Sequence, residues 1–335
     1  MKFLFPIFFI SILTSCEIIK SSSELNSIKS EIIEYTADSC YARGILIKKN
    51  ILFTANSNGK IYSYNLSTKE KICYESKSEK IQELRDIQNI KDDIVAIQSG
   101  TSGLVVHIKN KALEIEKHEI WDSVFLDGID GTNNISFMMG DPIQNIFSLY
   151  KNENNKWEKC DGNIAALEGE AGFSASGTNV QILNDSTFIF VSGGSQSRYF
   201  KSSNKGKTWS SKMLPFEQGE GIGAFSVCFK DVLSGVVVGG NYTQPTNKMK
   251  NAFYTKDGGK TWEIATISPN GYRSAVHFKQ GVYYTCGTNG LDYSLDYGKT
   301  WFSISTKCFF AMTSDDENLY LTSKNGKIEV IKLIK

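Results

Sequence analysis

The sequence is poor in proline and histidine and has no long apolar run beyond its N-terminus. Its 335 residues include five prolines and three histidines, which are His107, His118 and His277. These histidines lack the H-E-x-x-H spacing of a zinc protease, and no G-x-S-x-G marks a nucleophilic serine. After residue 13 no apolar stretch approaches the roughly 20 residues of a membrane-spanning helix. The sequence therefore predicts neither of these hydrolase classes and no integral membrane protein.

An excess of charge of one sign is also absent. The formal net charge is +1 and no long basic run occurs, so nucleic-acid binding is not expected. No G-x-G-x-x-G follows a predicted strand, no C-x-x-C-H offers a c-type haem site, and no C-x-x-C pair indicates zinc. We therefore expect no cofactor and no metal.

The first 16 residues form a separate segment. A single lysine precedes an apolar run at 3–13, which has the length of a signal-peptide core. The run ends in LTSC at 13–16, which resembles the bacterial lipobox. The resemblance implies a signal peptide over 1–15, a lipid on Cys16 and a protein held outside the cytoplasm on a bacterial membrane, with the Ser-rich stretch 16–29 as its tether. An ordinary signal peptide with a chance cysteine is the alternative.

Six further cysteines are scattered along the chain without tight spacing. Most stand within apolar runs, so buried strand cysteines are favoured over disulfides, although an even number in an oxidising compartment permits pairing. They are Cys40, Cys73, Cys160, Cys228, Cys286 and Cys308.

Three segments share the eight-residue template S/T-x-D/N-x-G-x-T-W: SSNKGKTW at 202–209, TKDGGKTW at 255–262 and SLDYGKTW at 294–301. In such a turn the Asp or Asn side chain accepts hydrogen bonds from N–H groups two or three residues on, and the Gly supplies positive φ. The template resembles the Asp-box, or BNR repeat, of sialidase-like propellers. Asp257 and Asp296 are therefore interpreted as turn residues rather than catalytic acids, and the indole of Trp262 is predicted to be largely buried.

Short runs rich in β-branched and aromatic residues surround these turns, which predicts an all-β propeller of four-stranded blades. A weaker copy of the template, YKNENNKW at 150–157, has lost the Gly. Residues 30–335 form the predicted propeller domain, and strand-like 30–37 supplies the last blade's fourth strand and closes the ring. Seven blades are favoured over six, with units at 40–76, 81–119, 121–160, 168–213, 222–266, 271–305 and 306–335.

A second resemblance covers about residues 40 to 326. The order of local motifs resembles bacterial propellers related to the photosystem II stability/assembly factors, within the WD40/YVTN-like superfamily. Three positions depart from that pattern: Ala42 and Leu84 stand where an aromatic is usual, and Asn241 replaces an Asp. The matching pieces are ARG at 42–44, LRDI at 84–87, GDP at 140–142, GEAGFSASGT at 169–178, GVVVGGNY at 235–242 and GYRS at 271–274.

Charged residues recur near the start of the predicted first strands, at intervals of 42, 42 and 43 residues. Equal phase in a propeller repeat places such residues in one ring around the axis, so we expect a charged central face that binds a ligand or pairs internally. The predicted set is Arg43, Arg85, Asp86, Asp127, Glu170 and Arg273. Arg198 and Tyr242 are weaker candidates for the same face.

Two functions are consistent with these residues. The first is a membrane-tethered binding or assembly module, acting as a monomer on a protein or small anionic ligand through the central face. The alternative is a sialidase-like glycoside hydrolase using Tyr272, Glu170 and an arginine triad. Arginines that converge on one point, with Tyr272 near Glu170, would favour the hydrolase, and interleaved Arg–carboxylate pairs would favour the module.

Overall fold

The structure is a computed structural model that describes residues 30–100 and 103–334. The predicted signal peptide and tether, with Cys16, lie outside these residues. In the described part, the single helix is a 3₁₀ turn at Glu119–Trp121. No helix there has the length and apolarity needed to cross a membrane.

The described chain begins with β1 (Ser30–Glu34), and the next twelve strands build three blades in chain order. Each blade is a four-stranded antiparallel sheet whose first strand lies innermost. These strands are β2 (Ala42–Lys48), β3 (Ile51–Asn56), β4 (Ile61–Asn65) and β5 (Lys71–Tyr74); β6 (Leu84–Ile90), β7 (Asp93–Gln98), β8 (Val105–Lys109) and β9 (Ala112–Glu116); β10 (Leu126–Gly131), β11 (Ile135–Ile143), β12 (Ile146–Glu153) and β13 (Lys156–Lys159).

The remaining strands complete the ring. Two short strands, β14 (Glu170–Ala171) and β17 (Gly193–Gly194), extend the fifth blade on its inner side. Blades four to six comprise β15 (Val180–Asn184), β16 (Thr187–Val191), β18 (Arg198–Ser202) and β19 (Ser210–Met213); β20 (Ile222–Phe229), β21 (Gly235–Asn241), β22 (Ala252–Thr255) and β23 (Glu263–Ile264); β24 (Ala275–Lys279), β25 (Val282–Gly287), β26 (Gly290–Ser294) and β27 (Phe302–Ser305).

The seventh blade joins the two ends of the described chain. From the axis outward its order is β28 (Met312–Ser314), β29 (Asn318–Thr322), β30 (Lys327–Lys332) and β1. Ser30 lies opposite Ile331 and Glu34 opposite Lys327. The predicted seven blades and closing N-terminal strand are therefore confirmed, and this closure covers the outer edge of β30 with β1.

Alternation of strand direction gives the ring two distinct ends. The start of each innermost strand and the links between blades lie at one end, which we call the loop face. The turns between first and second strands, and between third and fourth strands, lie at the other end, which we call the turn face.

The fourth blade departs from the predicted unit 168–213. Its innermost strand begins at Val180 instead of near Glu170, because residues 172–179 leave the sheet. Gly193 of β17 pairs with Gly223 of the next blade, and β14 pairs with β17. The segments before β15 and after β16 therefore join the sheet of the fifth blade.

The three template segments form the same turn on the turn face. The Ser or Thr hydroxyl accepts from the Gly N–H four residues later, at 2.9, 3.0 and 2.9 Å. The Asn or Asp Oδ1 accepts from the Thr N–H, also four residues later, at 2.9, 2.9 and 2.8 Å. The bond therefore spans four residues rather than the expected two or three. The weaker copy at 150–157 instead closes through Asn154 and Asn155, both with positive φ.

The hydrophobic core lies between neighbouring blades. Each template Trp packs toward the preceding blade: Trp301, 3% exposed, joins Val236 and Tyr254 of the fifth blade. Trp262 is partly exposed and packs edge-on against Tyr199. The predicted burial of Trp262 is therefore only partial.

The six cysteines from Cys40 onward are free thiols within the described residues. Cys40, Cys160 and Cys286 are buried, whereas Cys73 is exposed on an outermost strand. Burial raises the pKa of Cys160 to about 12, which keeps this thiol protonated at neutral pH.

Candidate binding site on the loop face

Four innermost strands carry a one-residue β-bulge at the same place near their start. In the first blade, Ala42 pairs with Asn56 and Gly44 with Ala55, which leaves Arg43 unpaired between them. A bulge re-aims the extra side chain away from the ladder. The bulged residues are Arg43, Arg85, Asp127 and Phe225.

Arg43 and Arg85 share one carboxylate. Arg43 Nε donates to Glu83 Oε1 at 3.2 Å, and Arg85 Nη2 donates to Glu83 Oε2 at 3.1 Å. The three side chains are 20–25% exposed, so solvent reaches them. We call Arg43, Glu83 and Arg85 the mouth cluster.

Residues 172–179 form a buried plug across the axis beneath the mouth cluster. Arg43 Nη1 donates to the Ala175 carbonyl at 3.2 Å and Arg85 Nη1 to the Ser174 carbonyl at 2.6 Å. Ser176 Oγ donates to the Ser274 carbonyl of the sixth blade at 2.8 Å. This segment of the fourth blade therefore contacts the first, second and sixth blades across the ring, and the mouth cluster next to it is exposed to solvent.

Aromatic rings adjoin the mouth cluster. The Arg43 guanidinium lies 5.2 Å from the centre of the Tyr41 ring and 5.7 Å from that of Phe310. On the neighbouring side Phe225 stacks on Phe173 at 4.3 Å. Phe225 also packs edge-on against Tyr272 at 4.8 Å and Tyr242 at 6.4 Å. The loop face thus combines guanidinium groups with aromatic rings, of which Phe225 and Tyr272 are buried and Tyr242 is 53% exposed; we call Phe173, Phe225 and Tyr242 the aromatic surface.

Asp127 lies beside Arg85 but forms no hydrogen bond or ion pair with it in the described structure. Its carboxyl is buried, neither oxygen accepts from a donor, and Asp141 lies close enough to share a proton with it. Burial, reinforced by the Asp141 charge, raises the pKa of Asp127 well above its usual range. Asp141 in turn accepts from Gly172 N–H at 2.9 Å. Glu83 is therefore the carboxylate that the two arginines contact directly.

Arg85 retains a buried donor without a partner. Its Nε is shielded from water and donates to no group in the described structure. Burial lowers the pKa of Arg85, and the adjacent Arg43 charge lowers it further. An anion at the exposed part of the two side chains, which are 25% and 22% exposed, would offset the repulsion between their charges.

Asp86 does not face the mouth, although it was predicted there. Its carboxylate accepts from Ile87 N–H at 2.7 Å and from Ile129 N–H at 2.8 Å, which ties the second blade to the third. Asp130 repeats this arrangement one blade further, with Ile182 N–H at 2.7 Å. Each oxygen of the Asp86 carboxylate therefore accepts from a backbone N–H within the fold.

Glu170 also lies apart from the mouth cluster, because it is paired with Arg198. Arg198 donates to its two oxygens at 2.8 and 2.5 Å, Ser192 Oγ donates at 2.5 Å, and Leu167 N–H donates at 2.9 Å. The plug displaces β15, so the predicted repeat phase does not apply to Glu170.

Arg273 forms a second separate pair. Its guanidinium is fully buried, and Nε donates to Asp292 Oδ2 at 2.7 Å. Nη1 donates to Asn289 Oδ1 and to the Tyr272 carbonyl, at 2.7 and 2.8 Å. In the sixth blade Ala275, opposite Cys286, occupies the position that Gly44 holds in the first. Arg273 therefore stands one residue before the bulge position, and it turns into its own blade.

Sequence reasoning missed Glu83, the plug carbonyls and the aromatic surface. Phe225 could have been found by aligning the bulge position across blades, since it follows Ala224 as Arg43 follows Ala42. The spacing could not reveal the plug, because its contacts with blades one, two and six are made across the ring.

The described residues contain no candidate metal site. They contain no group of three His, Cys, Asp or Glu side chains arranged to hold a metal ion. Two open pockets, of about 560 and 340 Å³, lie on the outer parts of blades two and four. Neither is lined by a residue of the mouth cluster. The first is lined by residues such as Lys77, Glu79 and Lys117.

The fold resembles propellers of solved structure at low sequence identity. A catalytically inactive virginiamycin B lyase from Staphylococcus aureus, in complex with quinupristin, aligns with a TM-score of 0.68 and 13% identity over 92% of this chain and 100% of the other. The WD40 β-propeller domain of Doa1 aligns with a TM-score of 0.63 and 7% identity, covering 92% and 98%. The computationally designed Ika8 protein aligns with a TM-score of 0.58 and 11% identity, covering 89% and 98%.

No protein-family model matches the sequence. No curated protein matches it either. These structural similarities support the seven-bladed, WD40-like fold. At such low sequence identities they give no information about activity.

Proposed function

We propose that this chain is a binding module that holds an anionic group of its partner at the mouth cluster. The observation that carries the proposal is the composition of the cluster: two arginines, 25% and 22% exposed, share the single carboxylate of Glu83. Planar guanidinium groups match carboxylate and phosphate oxygens. The adjoining rings of Phe173, Phe225 and Tyr242 favour an anion attached to an apolar or aromatic body.

Replacing Arg43 and Arg85 together with alanine is expected to weaken anion binding about tenfold or more, since a charged hydrogen bond contributes about 1.5–3 kcal/mol. Calorimetric titration with phenyl phosphate, benzoate and inorganic phosphate would measure the effect. Phenyl phosphate is expected to bind more tightly than inorganic phosphate, because its ring can contact the aromatic surface.

Lys248→Ala combined with Lys250→Ala is the matched control, because both lysines are exposed on the loop face outside the mouth cluster. The control is expected to bind phenyl phosphate as the parent does. Equal weakening in both double variants would show that binding depends on the general positive charge of the loop face and not on the two arginines. Binding that is unchanged after loss of both arginines would overturn the proposal.

The contacts do not favour the sialidase-like alternative. Glu170 is saturated by Arg198, Ser192 and Leu167, while Tyr272 packs against Phe225. Arg273 is held by Asp292, so no arginine triad converges. A nucleophilic tyrosine needs a partner carboxylate, and no contact supplies one to Tyr272.

We also propose that the chain belongs with the Asp-box propellers related to the photosystem II stability/assembly factors. Support comes from the motif order in the sequence and from the shared hydrogen bonds of the three template turns. Membership in this family would not identify the ligand. This chain has Asn241 where the family pattern has an Asp, and it has Phe225 at a bulge position.

A lipid on Cys16 is proposed to tether the module outside the cytoplasm. Cys16→Ala is expected to release the protein from membranes or to block its processing, because the acyl chains would be its main anchor. Membrane fractionation and intact-mass spectrometry would test this. An unmodified Cys16 inside the mature chain would overturn the tether, without bearing on anion binding at the mouth cluster.

A further inference from the structure

The turn face carries an exposed apolar patch where the fifth and sixth blades meet. Val232 and Leu233, at the tip between β20 and β21, are 50% and 55% exposed. Leu295 and Tyr297, in the neighbouring template turn, are 55% and 47% exposed. Lys230 joins the two turns, because its Nζ lies 4.9 Å from the centre of the Tyr297 ring. We call Val232, Leu233, Leu295 and Tyr297 the apolar patch.

Lysines surround the apolar patch in excess over carboxylates. Lys230 pairs with Asp231 at 2.6 Å, whereas no ion pair of the described residues includes the other four. Two aspartates nearby, Asp257 and Asp296, accept the hydrogen bonds of their own turns and stay negatively charged, so with Asp231 three carboxylates stand against five lysines. The four unpaired lysines are Lys201, Lys256, Lys260 and Lys299.

Lys201 lies against the template turn of the fifth blade, which carries Lys256 and Lys260. Lys201 Nζ lies 3.4 Å from the Gly258 carbonyl, and Gly258 N–H donates to the Leu233 carbonyl at 2.8 Å. Burial lowers the pKa of Lys201, and the positive charge of Lys260 lowers it further. The turn face at these blades is therefore both apolar and positively charged.

The described chain starts at this same end of the ring. Ser30 lies opposite Ile331, near the end of β30, and Leu333 N–H donates to Glu317 in the first turn of the seventh blade at 2.9 Å. The seventh blade is next to the sixth, which carries Leu295 and Tyr297. The 29 residues before Ser30 include the apolar run at 3–13. The mouth cluster lies at the opposite end.

We infer that the turn face of blades five and six rests on a lipid bilayer with anionic headgroups. Exposed apolar side chains flanked by lysines bind such a surface by burial at the acyl boundary and by attraction to the headgroups. The start of the described chain on this face, taken with the proposed lipid tether on which this step rests, and the excess of lysines favour a bilayer as the occupant. This orientation leaves the mouth cluster directed away from the membrane, and it does not depend on what the mouth cluster binds.

Hydrogen exchange of the full chain, followed by mass spectrometry, tests the orientation. Vesicles of phosphatidylglycerol and phosphatidylcholine in equal parts are compared with vesicles of phosphatidylcholine alone. Exchange in the turns at 230–234 and 295–299 is expected to slow roughly tenfold on the anionic vesicles. The loop at 242–250 is expected to exchange at the same rate on both, and about 0.5 M salt should reduce the protection.

Val232→Asp combined with Leu233→Asp is expected to abolish the protection and leave the thermal melt unchanged, since both side chains are exposed. Ile143→Asp with Met249→Asp is the matched control, because these residues are 46% and 63% exposed on the loop face. Protection that is equal on neutral vesicles, absent on both, or lost in the control variant would overturn the inference. Protection that appears only when membrane proteins are added would show that the patch docks a protein instead.

Discussion

Arg273→Ala is expected to lower the free energy of unfolding by about 3–5 kcal/mol, the loss typical when one partner of a buried ion pair is removed. The Arg273 guanidinium is fully buried and bonds Asp292 through Nε, and Asn289 and the Tyr272 carbonyl through Nη1. Alanine would leave the Asp292 carboxylate, 2% exposed, with Asn270 N–H as its remaining donor. Urea unfolding followed by circular dichroism would measure the loss.

Two further variants separate the buried pair from other causes. Arg273→Met with Asp292→Leu is expected to recover most of the lost stability, because it removes both charges and keeps the volume. Arg85→Ala is expected to cost far less than Arg273→Ala, since the Arg85 side chain is 22% exposed. If Arg273→Ala unfolded at the parent urea concentration, Arg273 would not be the structural residue that its contacts describe.

The pH dependence of Arg273→Ala provides an independent check. Burial raises the pKa of Asp292, and Arg273 is the main group that opposes this rise. Without Arg273 the folded-state pKa of Asp292 would lie above its unfolded value, so stability is retained at low pH and lost as the pH rises through the folded pKa. The deficit of the variant is therefore expected to be smaller near pH 4 than at pH 7.

The fold could be predicted because its signals are local. Each template turn closes within eight residues, through bonds such as Asp257 to Thr261 and Asp296 to Thr300. The closing role of residues 30–37 followed from counting three strands in the last unit. Turn chemistry and the number of strands can be inferred without knowledge of distant contacts. The seven blades could therefore be predicted from the sequence.

The candidate site was only partly predictable, because repeat spacing does not determine side-chain pairing. Arg43, Arg85 and Asp127 occupy equivalent bulges at intervals of 42 residues. Glu170 has nearly the same spacing, but the plug shifts the start of its blade. Arg273 misses the bulge by one residue, and one residue reverses the direction of a strand side chain.

The tryptophans of the template differ in burial, and this difference predicts which is essential to folding. Trp301 is 3% exposed, fills the space between blades five and six, and donates from Nε1 to the Gly298 carbonyl at 3.0 Å. Trp301→Ala would leave a cavity against Val236 and Tyr254 and remove this bond. We expect the free energy of unfolding to fall by about 3–5 kcal/mol, the range for a buried aromatic truncated to alanine.

Trp262→Ala is the matched comparison, since it removes the same side chain from the same position of a neighbouring turn. Its indole is partly exposed, and its Nε1 has no hydrogen-bond partner in the described structure. Less apolar area leaves water at this site on folding, so its loss of stability is expected to be clearly smaller than that of Trp301→Ala. Thermal and urea unfolding of both variants would decide the order. Equal losses would show that the turn itself, rather than indole burial between blades, sets the contribution of the template tryptophan.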